Sequence, residues 1–371
     1  MSCMKRTIAI KLNVSLSQDL ALLELQTIFS TACSQVAGIA IEQSEKNRVR
    51  LHHLYYHTLR KNFPQLGAQM CCNAIAKASQ ALKALKRPRQ VLFKKGCSVH
   101  FDKRTYSLKD QVLSLFSLSG RIRLKLEISS FHQNFLNRGM IKEAELVRKG
   151  KRWFFHLVLD LPDVLPVEPG NAMGVDLGEN VLAATSTGKL FGGGVLRASR
   201  DQFLAHRQRL QSKGSQSAKQ RLRNISGREK RHVKHVNHCV AKEIVKEAQN
   251  NGCSTIFMED LKNIRERIRA GKKNRSRLHR WAFDQLREFV EYKAQSEGIQ
   301  IVYVCPAYTS KTCSHCESLG HRSKHRFFCS NCGSLQHSDL NASRNILRLG
   351  LSVDRLTGDV NRRYVAAFAG R

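Results

Sequence analysis

Apolar residues alternate from the start of the chain. In "RTIAIKLNV" (residues 6–14) Ile8, Ile10, Leu12 and Val14 fall on one side, the period of a half-buried strand. The period then lengthens: Leu22, Leu25, Phe29, Ala32 and Val36 recur at steps of three and four, which predicts an amphipathic helix. A second helical run, "GAQMCCNAIAKASQALKAL" (residues 67–85), is broken by "KRPRQ". Beyond it the period returns to two. "RIRLKLEI" places Ile122, Leu124, Leu126 and Ile128 on one face and Arg121, Arg123, Lys125 and Glu127 on the other. "RWFFHLVLDLP" (residues 152–162) repeats the pattern. One strand, a helical insert over about residues 15–90, then several strands predict a β-barrel interrupted by helices. "PDVLPVEPG" (residues 162–170) holds three of the six prolines, so the first domain ends near it, at residue 165.

The second domain, residues 166–352, mixes strands with helices and makes the chain as a whole α/β plus β. "NAMGVDLGENVLAATSTGKLFGGG" reads as three strands joined by turns at "LGEN" and "TSTGK". A polar helical region follows over residues 201–250, with 12 Lys and Arg against 4 Asp and Glu. "CSTIFMED" is a short buried strand ending in acid. "WAFDQLREFVEYKAQSEG" is a helix with Trp281, Leu286, Phe289 and Val290 inward, and "IQIVYVC" is a last strand. No internal repeat is visible, and the tail from 353 to 371 carries no usable pattern.

Charge changes the picture. Lys and Arg total 63 against 29 Asp and Glu, a net +34 that exceeds what solubility requires and points to a polyanion, nucleic acid above all. A membrane partner is disfavoured: no run nears the roughly 18 apolar residues of a span, and no basic amphipathic helix adjoins a lipid-anchor motif. The N-terminus lacks a secretory h-region, so a cytoplasmic, nucleoid-associated location is expected. Eight of the twelve cysteines are scattered, several inside apolar patterns, as reduced thiols would be.

The other four are ordered. "CSHCESLGHRSKHRFFCSNC" (residues 313–332) sets Cys313 and Cys316 twelve residues from Cys329 and Cys332. Two Cys-x-x-Cys turns offer four thiolates, the closed tetrahedral set of a structural zinc, in a ribbon over about residues 309–336. Four sulfurs leave no open position for catalysis, so one zinc per chain would act as a brace. His315, His321, His325 and His337 are alternative ligands by type, though solvent- or phosphate-facing roles suit them better.

Three acids raise a different chemistry. Asp176 lies on the first strand of the meander, Glu259 ends the "CSTIFME" strand, and Asp339 opens the helix "LNASRNIL". Singly, each has an ordinary reading as a turn acid, a strand-end acid or an N-cap. Together, acids at a first strand, a later buried strand and the start of the last helix match a ribonuclease H-like core. Such a trio suits two Mg²⁺ ions, hard cations held by carboxylates and substrate phosphate for phosphodiester hydrolysis. "GVDLGEN" also fits the first phosphate loop of actin-like kinases, but the second glycine-rich loop they need is not found.

"GVDLGENVLAATSTG", "IFMEDLKNIRER", "PAYTSKTCSHC", "FFCSNCG" and "HSDLNASRNI" resemble, in order, the signature blocks of TnpB. This family (OrfB) is carried by transposons and is related to the type V CRISPR effector nucleases. The resemblance implies an RNA-guided DNA endonuclease, with a guide RNA from the flanking element and double-stranded target DNA. It implies a RuvC-type site at Asp176, Glu259 and Asp339, and a wedge barrel carrying a helical recognition insert. Glu317 stands where the family has glycine after the first cysteine pair, and Ser338 where it has alanine. With all three acids present, a cleavage-inactive RNA-guided DNA-binding protein is the lesser alternative. A DNA-only ribonuclease H-like recombinase or resolvase is another, which would more naturally bring a separate DNA-binding motif. Arg344, on the helix opened by Asp339, is a candidate for the scissile phosphate. Lys272, Lys273, Arg275 and Arg277 belong to the basic loop "RERIRAGKKNRSRLHR", a candidate lid.

Overall fold

The computed structural model describes residues 4–85, 91–162, 164–261, 283–305 and 309–357. It divides into two units, Met1–Asp163 and Val164–Arg371. The first contains β1 (Met4–Leu12), α1 (Leu16–Glu42), α2 (Arg48–Asn62), α3 (Gly67–Ala84), β2 (Val99–Phe101), β3 (Tyr106–Lys109), β4 (Val112–Ser117), β5 (Gly120–Lys125), α4 (Ser130–Arg138), β6 (Met140–Lys149) and β7 (Arg152–Leu161). Its strands form two antiparallel sheets, ordered β1-β7-β6-β2 and β3-β4-β5.

The period-two signal is kept in β7, whose Trp153, Phe155, Leu157, Leu159 and Leu161 are all buried. The helical stripe of α1 is kept too, with Leu22, Leu25, Phe29, Ala32 and Val36 all buried. Both sheets and these helices share one apolar core. At its start, α1 is tied to the sheet by Asp19, which accepts from Trp153 Nε1 (2.6 Å) and Arg148 Nη2 (3.2 Å). The sequence pattern does not reveal α2, because its fifteen residues bury only Leu51 and Leu59.

The second unit holds β8 (Asn171–Asp176), β9 (Val181–Thr185), β10 (Leu190–Gly192), α5 (Gly194–Lys213), α6 (Gln216–Ile225), α7 (Arg228–Asn250) and β11 (Cys253–Glu259). These are followed by α8 (Phe283–Ser296), β12 (Gln300–Val304), β13 (His321–Ser323), β14 (Arg326–Phe328), β15 (Leu335–His337) and α9 (Ser338–Thr357). The main sheet is ordered β10-β9-β8-β11-β12, with an antiparallel meander from β8 to β10 and with β11 parallel to both β8 and β12. The polar region read as one helical stretch is three helices. Gly214 (φ 62°) and Gly227 (φ 77°) break it in the left-handed region that glycine tolerates best. Trp281 lies outside the described residues.

The main sheet is buried on both faces, and β11 shows how. Ile256 and Met258 pack with Ile244 and Val245 of α7 and Val290 of α8, while Phe257 packs with Ile346 of α9. Helix α9 approaches closely because one position on each side of the contact, Gly174 on β8 and Gly350 on α9, lacks a side chain. A Cβ on Gly174 of β8 would lie 2.1 Å from the Ser343 carbonyl and 2.6 Å from the Leu347 nitrogen. A Cβ on Gly350 would lie 2.2 Å from the Phe257 ring.

Helix backbone cannot yield as a side chain can, so Gly174→Ala should destabilise the second unit by about 3 kcal/mol or more. Gly194 has nothing within 4 Å of its Cβ position, and Gly194→Ala should be neutral or slightly stabilising. Denaturant titration of both variants tests this, and equal midpoints would mean that the helix does not ride on Gly174.

Candidate active site

Strand register brings the first two acids together. Parallel pairing sets Met258 beside Val175, so the next step places Glu259 and Asp176 side by side at the same end of adjacent strands, on one face. Asp339 arrives from the other direction, in the first turn of α9, which the glycines hold against β8. Burial pushes the Asp176 carboxyl well above the usual carboxylate range, and the charges of Glu259 and Asp339 push it further. Glu259 is raised as well, by burial. The sheet and α9 thus bring Glu259 and Asp339 close enough to Asp176 for their charges to act on it.

Two groups offset the repulsion. Arg322 Nη2, reaching in from β13, donates to Asp339 Oδ1 at 2.8 Å, and its charge lowers both Asp176 and Glu259. The Thr309 hydroxyl donates to Glu259 Oε1. Asp260, next to Glu259, belongs elsewhere: it pairs with Arg287 at 3.7 Å. Of the two acids in "MED", only Glu259 joins the cluster.

The four ordered cysteines also converge. Their sulfurs lie within 4.8 Å of one another, at 3.7 Å for Cys313–Cys332 and 3.4 Å for Cys316–Cys329. Zinc–sulfur bonds of about 2.3 Å in a tetrahedron require sulfurs about 3.8 Å apart, so the cluster fits zinc. All four are free thiols. The Ser318 backbone and the Asn331 amide draw Cys316 down to about 5. Although the Ser334 backbone lowers Cys332, hydrogen bonds with the neighbouring sulfurs push it up to about 12. A bound ion would hold all four sulfurs as thiolates.

The cysteine turns are fastened to α9. Asn341 Oδ1 accepts from the Ser314 N–H (2.8 Å), and its Nδ2 donates to the Thr312 carbonyl (2.7 Å). Asn345 Nδ2 donates to the Thr309 and Thr312 carbonyls. Both asparagines are fully buried.

Residues 156–265 match the family model described as "Probable transposase", and residues 283–346 match "Cas12f1-like, TNB domain". "TnpB-like protein MJ0751" of Methanocaldococcus jannaschii is 30% identical over 248 residues, covering 61% of this chain and 86% of that one. The chain belongs to the TnpB-like family. It is also 28% identical to "Putative RNA-guided DNA endonuclease InsQ" of Escherichia coli K12, over 74% of each chain. A "CRISPR-associated endodeoxyribonuclease Cas12f1" of Sulfoacidibacillus thermotolerans is 31% identical, over 54% of this chain and 50% of that protein.

In this TnpB-like chain Arg344 donates to Gln336 Oε1 at 2.6 Å, on the helix that Asp339 opens. Lys272, Lys273, Arg275 and Arg277 lie outside the described residues. Sequence reasoning missed Arg322 and Thr309. Both lie within the quoted cysteine region or just before it, but nothing in their spacing singles them out. It also passed over Asn341 and Asn345, whose four-residue spacing on one helix face was available.

A carboxylate whose folded value is raised weakens the folded state above that value, and the penalty vanishes below the ordinary value near 3.9. Asp176→Asn should therefore raise the melting temperature of the cation-free chain at neutral pH. The gain should shrink to nothing as pH falls below about 4. Thermal melts in chelator across that range check it, and a lower melting temperature for Asp176→Asn at pH 7 would contradict the crowding of these acids.

Proposed function

We propose that the chain is an RNA-guided DNA endonuclease that cuts phosphodiester bonds at Asp176, Glu259 and Asp339. The convergence of three charge-crowded carboxylates inside a chain of net +34 carries the reading. Elsewhere such a surface favours phosphate, and here the chain gathers groups that repel phosphate unless cations intervene. The names of the relatives, RNA-guided DNA endonuclease and endodeoxyribonuclease, support the same activity. The second unit then serves as a ribonuclease H-like (RuvC) domain with its zinc ribbon inserted before α9. The first serves as a wedge barrel with a helical recognition insert, and the tail expected from residue 353 starts later, because α9 runs on to Thr357.

The three acids are hard oxygen donors of the kind that hold two Mg²⁺ ions, which when bound stabilise charge on the attacking water and the leaving oxygen. The protein's own contribution is position. The parallel register fixes Asp176 against Glu259, Thr309 orients the Glu259 carboxylate, and α9 delivers Asp339. Arg322 supplies a cation beside the acid cluster. The guide RNA and target duplex would be gripped by their backbones on the basic surface, leaving sequence choice to pairing. The zinc of the ribbon would take no part in bond breaking, because four sulfurs fill the coordination of one zinc per chain.

The test is to purify the chain from cells carrying its flanking DNA, sequence any bound RNA, and assay matched and mismatched duplexes with Mg²⁺. Only the matched duplex should be cut. Asp176→Asn, Glu259→Gln and Asp339→Asn should each slow cutting by on the order of a thousandfold, while nucleic-acid binding persists. Cleavage that survives RNA digestion, or that Asp176→Asn leaves intact, would refute the reading.

Elemental analysis of the same preparations should find one zinc per chain, and Cys329→Ser should lose it. Zinc-free, fully folded protein would remove the ribbon's role as brace.

A further inference from the structure

A second set of metal-type ligands sits on the outer side of Asp339. His325 occupies the turn between β13 and β14, and His337 ends β15. Pairing of Arg326 with His337 brings the two histidines to the same end of the small sheet. Their rings lie 5.5 Å apart between centroids and 24° from parallel. One donor atom each from His325, His337 and Asp339 falls within 4.8 Å of the others.

The backbone holds this arrangement from below. The Ser338 N–H donates to the His325 carbonyl (2.9 Å), and the Ser338 hydroxyl donates to the Lys324 carbonyl (3.2 Å). Ser338 is fully buried, so these two bonds fasten the turn bearing His325 to the start of α9 away from solvent. The Asp339 carboxylate is divided. Its Oδ1 faces Arg322 (2.8 Å) and the Ser338 hydroxyl (3.2 Å), while Oδ2 lies 4.0 Å from His337 Nδ1. That nitrogen carries its lone pair toward Asp339, accepting a long bond from the Asp339 N–H at 3.3 Å.

Two imidazoles and one carboxylate select a borderline divalent ion such as Zn²⁺, Co²⁺ or Ni²⁺ over Mg²⁺, which prefers an all-oxygen shell. Metal–ligand bonds of about 2.0–2.2 Å need the donors closer than they stand, by small side-chain rotations that exposed His325 is free to make. We propose that His325, His337 and Asp339 form a transition-metal site, separate from the four cysteines, that takes Zn²⁺ or a similar borderline ion. By engaging Asp339 Oδ2, that ion withdraws the carboxylate from the acid cluster and inhibits cleavage. The inhibition rests on the nuclease reading; the binding does not.

Cobalt distinguishes the two sites. The full chain, loaded with zinc at its cysteines, is titrated with Co²⁺ while visible absorption and total metal are recorded. With excess Mg²⁺ present to fill the acid cluster, the wild type should take up one further equivalent, with ligand-field absorption but no sulfur-to-cobalt charge-transfer band. His325→Ala and His337→Ala should weaken that uptake at least about tenfold. His325 is exposed on a turn, so its variant tests the site even if His337→Ala fails to fold. Uptake confined to the cysteines, or unchanged in His325→Ala, overturns the site and leaves a simple His337–Asp339 ion pair. In a cleavage assay at fixed Mg²⁺, the Zn²⁺ concentration for half-inhibition should rise at least about tenfold in His325→Ala. An unchanged midpoint overturns the inhibition. A wild type that binds cobalt but never cuts would count against the nuclease reading and leave the metal site standing.

Discussion

The contact between α9 and β8 governs the second unit. A helix normally rides about 10 Å from a sheet on a layer of side chains, but Gly174 offers none, and the Ser343 carbonyl and Leu347 nitrogen come down almost onto the strand. Gly350 makes the matching space for Phe257 further along. Only at this depth does the first turn of α9 reach the ends of β8 and β11, where Asp176 and Glu259 stand. The same descent brings Asn341 and Asn345 within reach of the Thr309 and Thr312 carbonyls. The acid cluster and the anchorage of the cysteine turns therefore share one cause.

Gathering three carboxylates opposes folding unless positive charge is supplied, and the chain supplies some itself. Arg322 comes from the ribbon, whereas the acids come from the main sheet and α9, so the ribbon does more than fasten a helix. Its first strand carries a guanidinium to Asp339, and Thr309 just before it steadies Glu259. Burial outweighs that one guanidinium at both Asp176 and Glu259, and the charges of Glu259 and Asp339 add to it at Asp176. Under the proposed function, the residual excess of negative charge is what suits the cluster to cations. It also gives Arg322 an alternative partner once cations occupy the acids, since a free guanidinium beside them would face phosphate.

Much of this was legible in the residues. Apolar alternation located β1 and β7, and the stripe on α1 named its buried face residue by residue. The three acids stood out because each closes or opens an element whose neighbours are apolar, and the register of β8 with β11 then joins two of them. Two kinds of feature escaped. Helix α2 buries too few side chains to print a period, and the breaks in the helical region depend on backbone at Gly214 and Gly227 rather than on hydrophobicity. Arg322 escaped for another reason: in a chain with 63 Lys and Arg, one functional cation has no local mark. Only the fold tells it from the others.

Glu317 shows how far the ribbon and α9 have adjusted to each other. Both cysteine turns need the fourth residue after their first cysteine at positive φ: Gly333 takes 70° and Glu317 takes 66°. Glycine adopts that conformation freely, whereas a residue with a Cβ meets a cost of about 1–3 kcal/mol. Glu317 offsets part of it by placing its carboxylate 2.7 Å from Arg348 Nη1 on α9. Its exposure limits what that pair contributes to roughly 1 kcal/mol, less than the upper range of the strain. The remainder falls on the turn that presents Cys313 and Cys316, and a bound metal holding both sulfurs would keep that turn closed. The departure from glycine thus ties the first turn to α9 by charge where the asparagines already tie it by hydrogen bonds. A zinc bound by the four cysteines would therefore steady that turn more than the second.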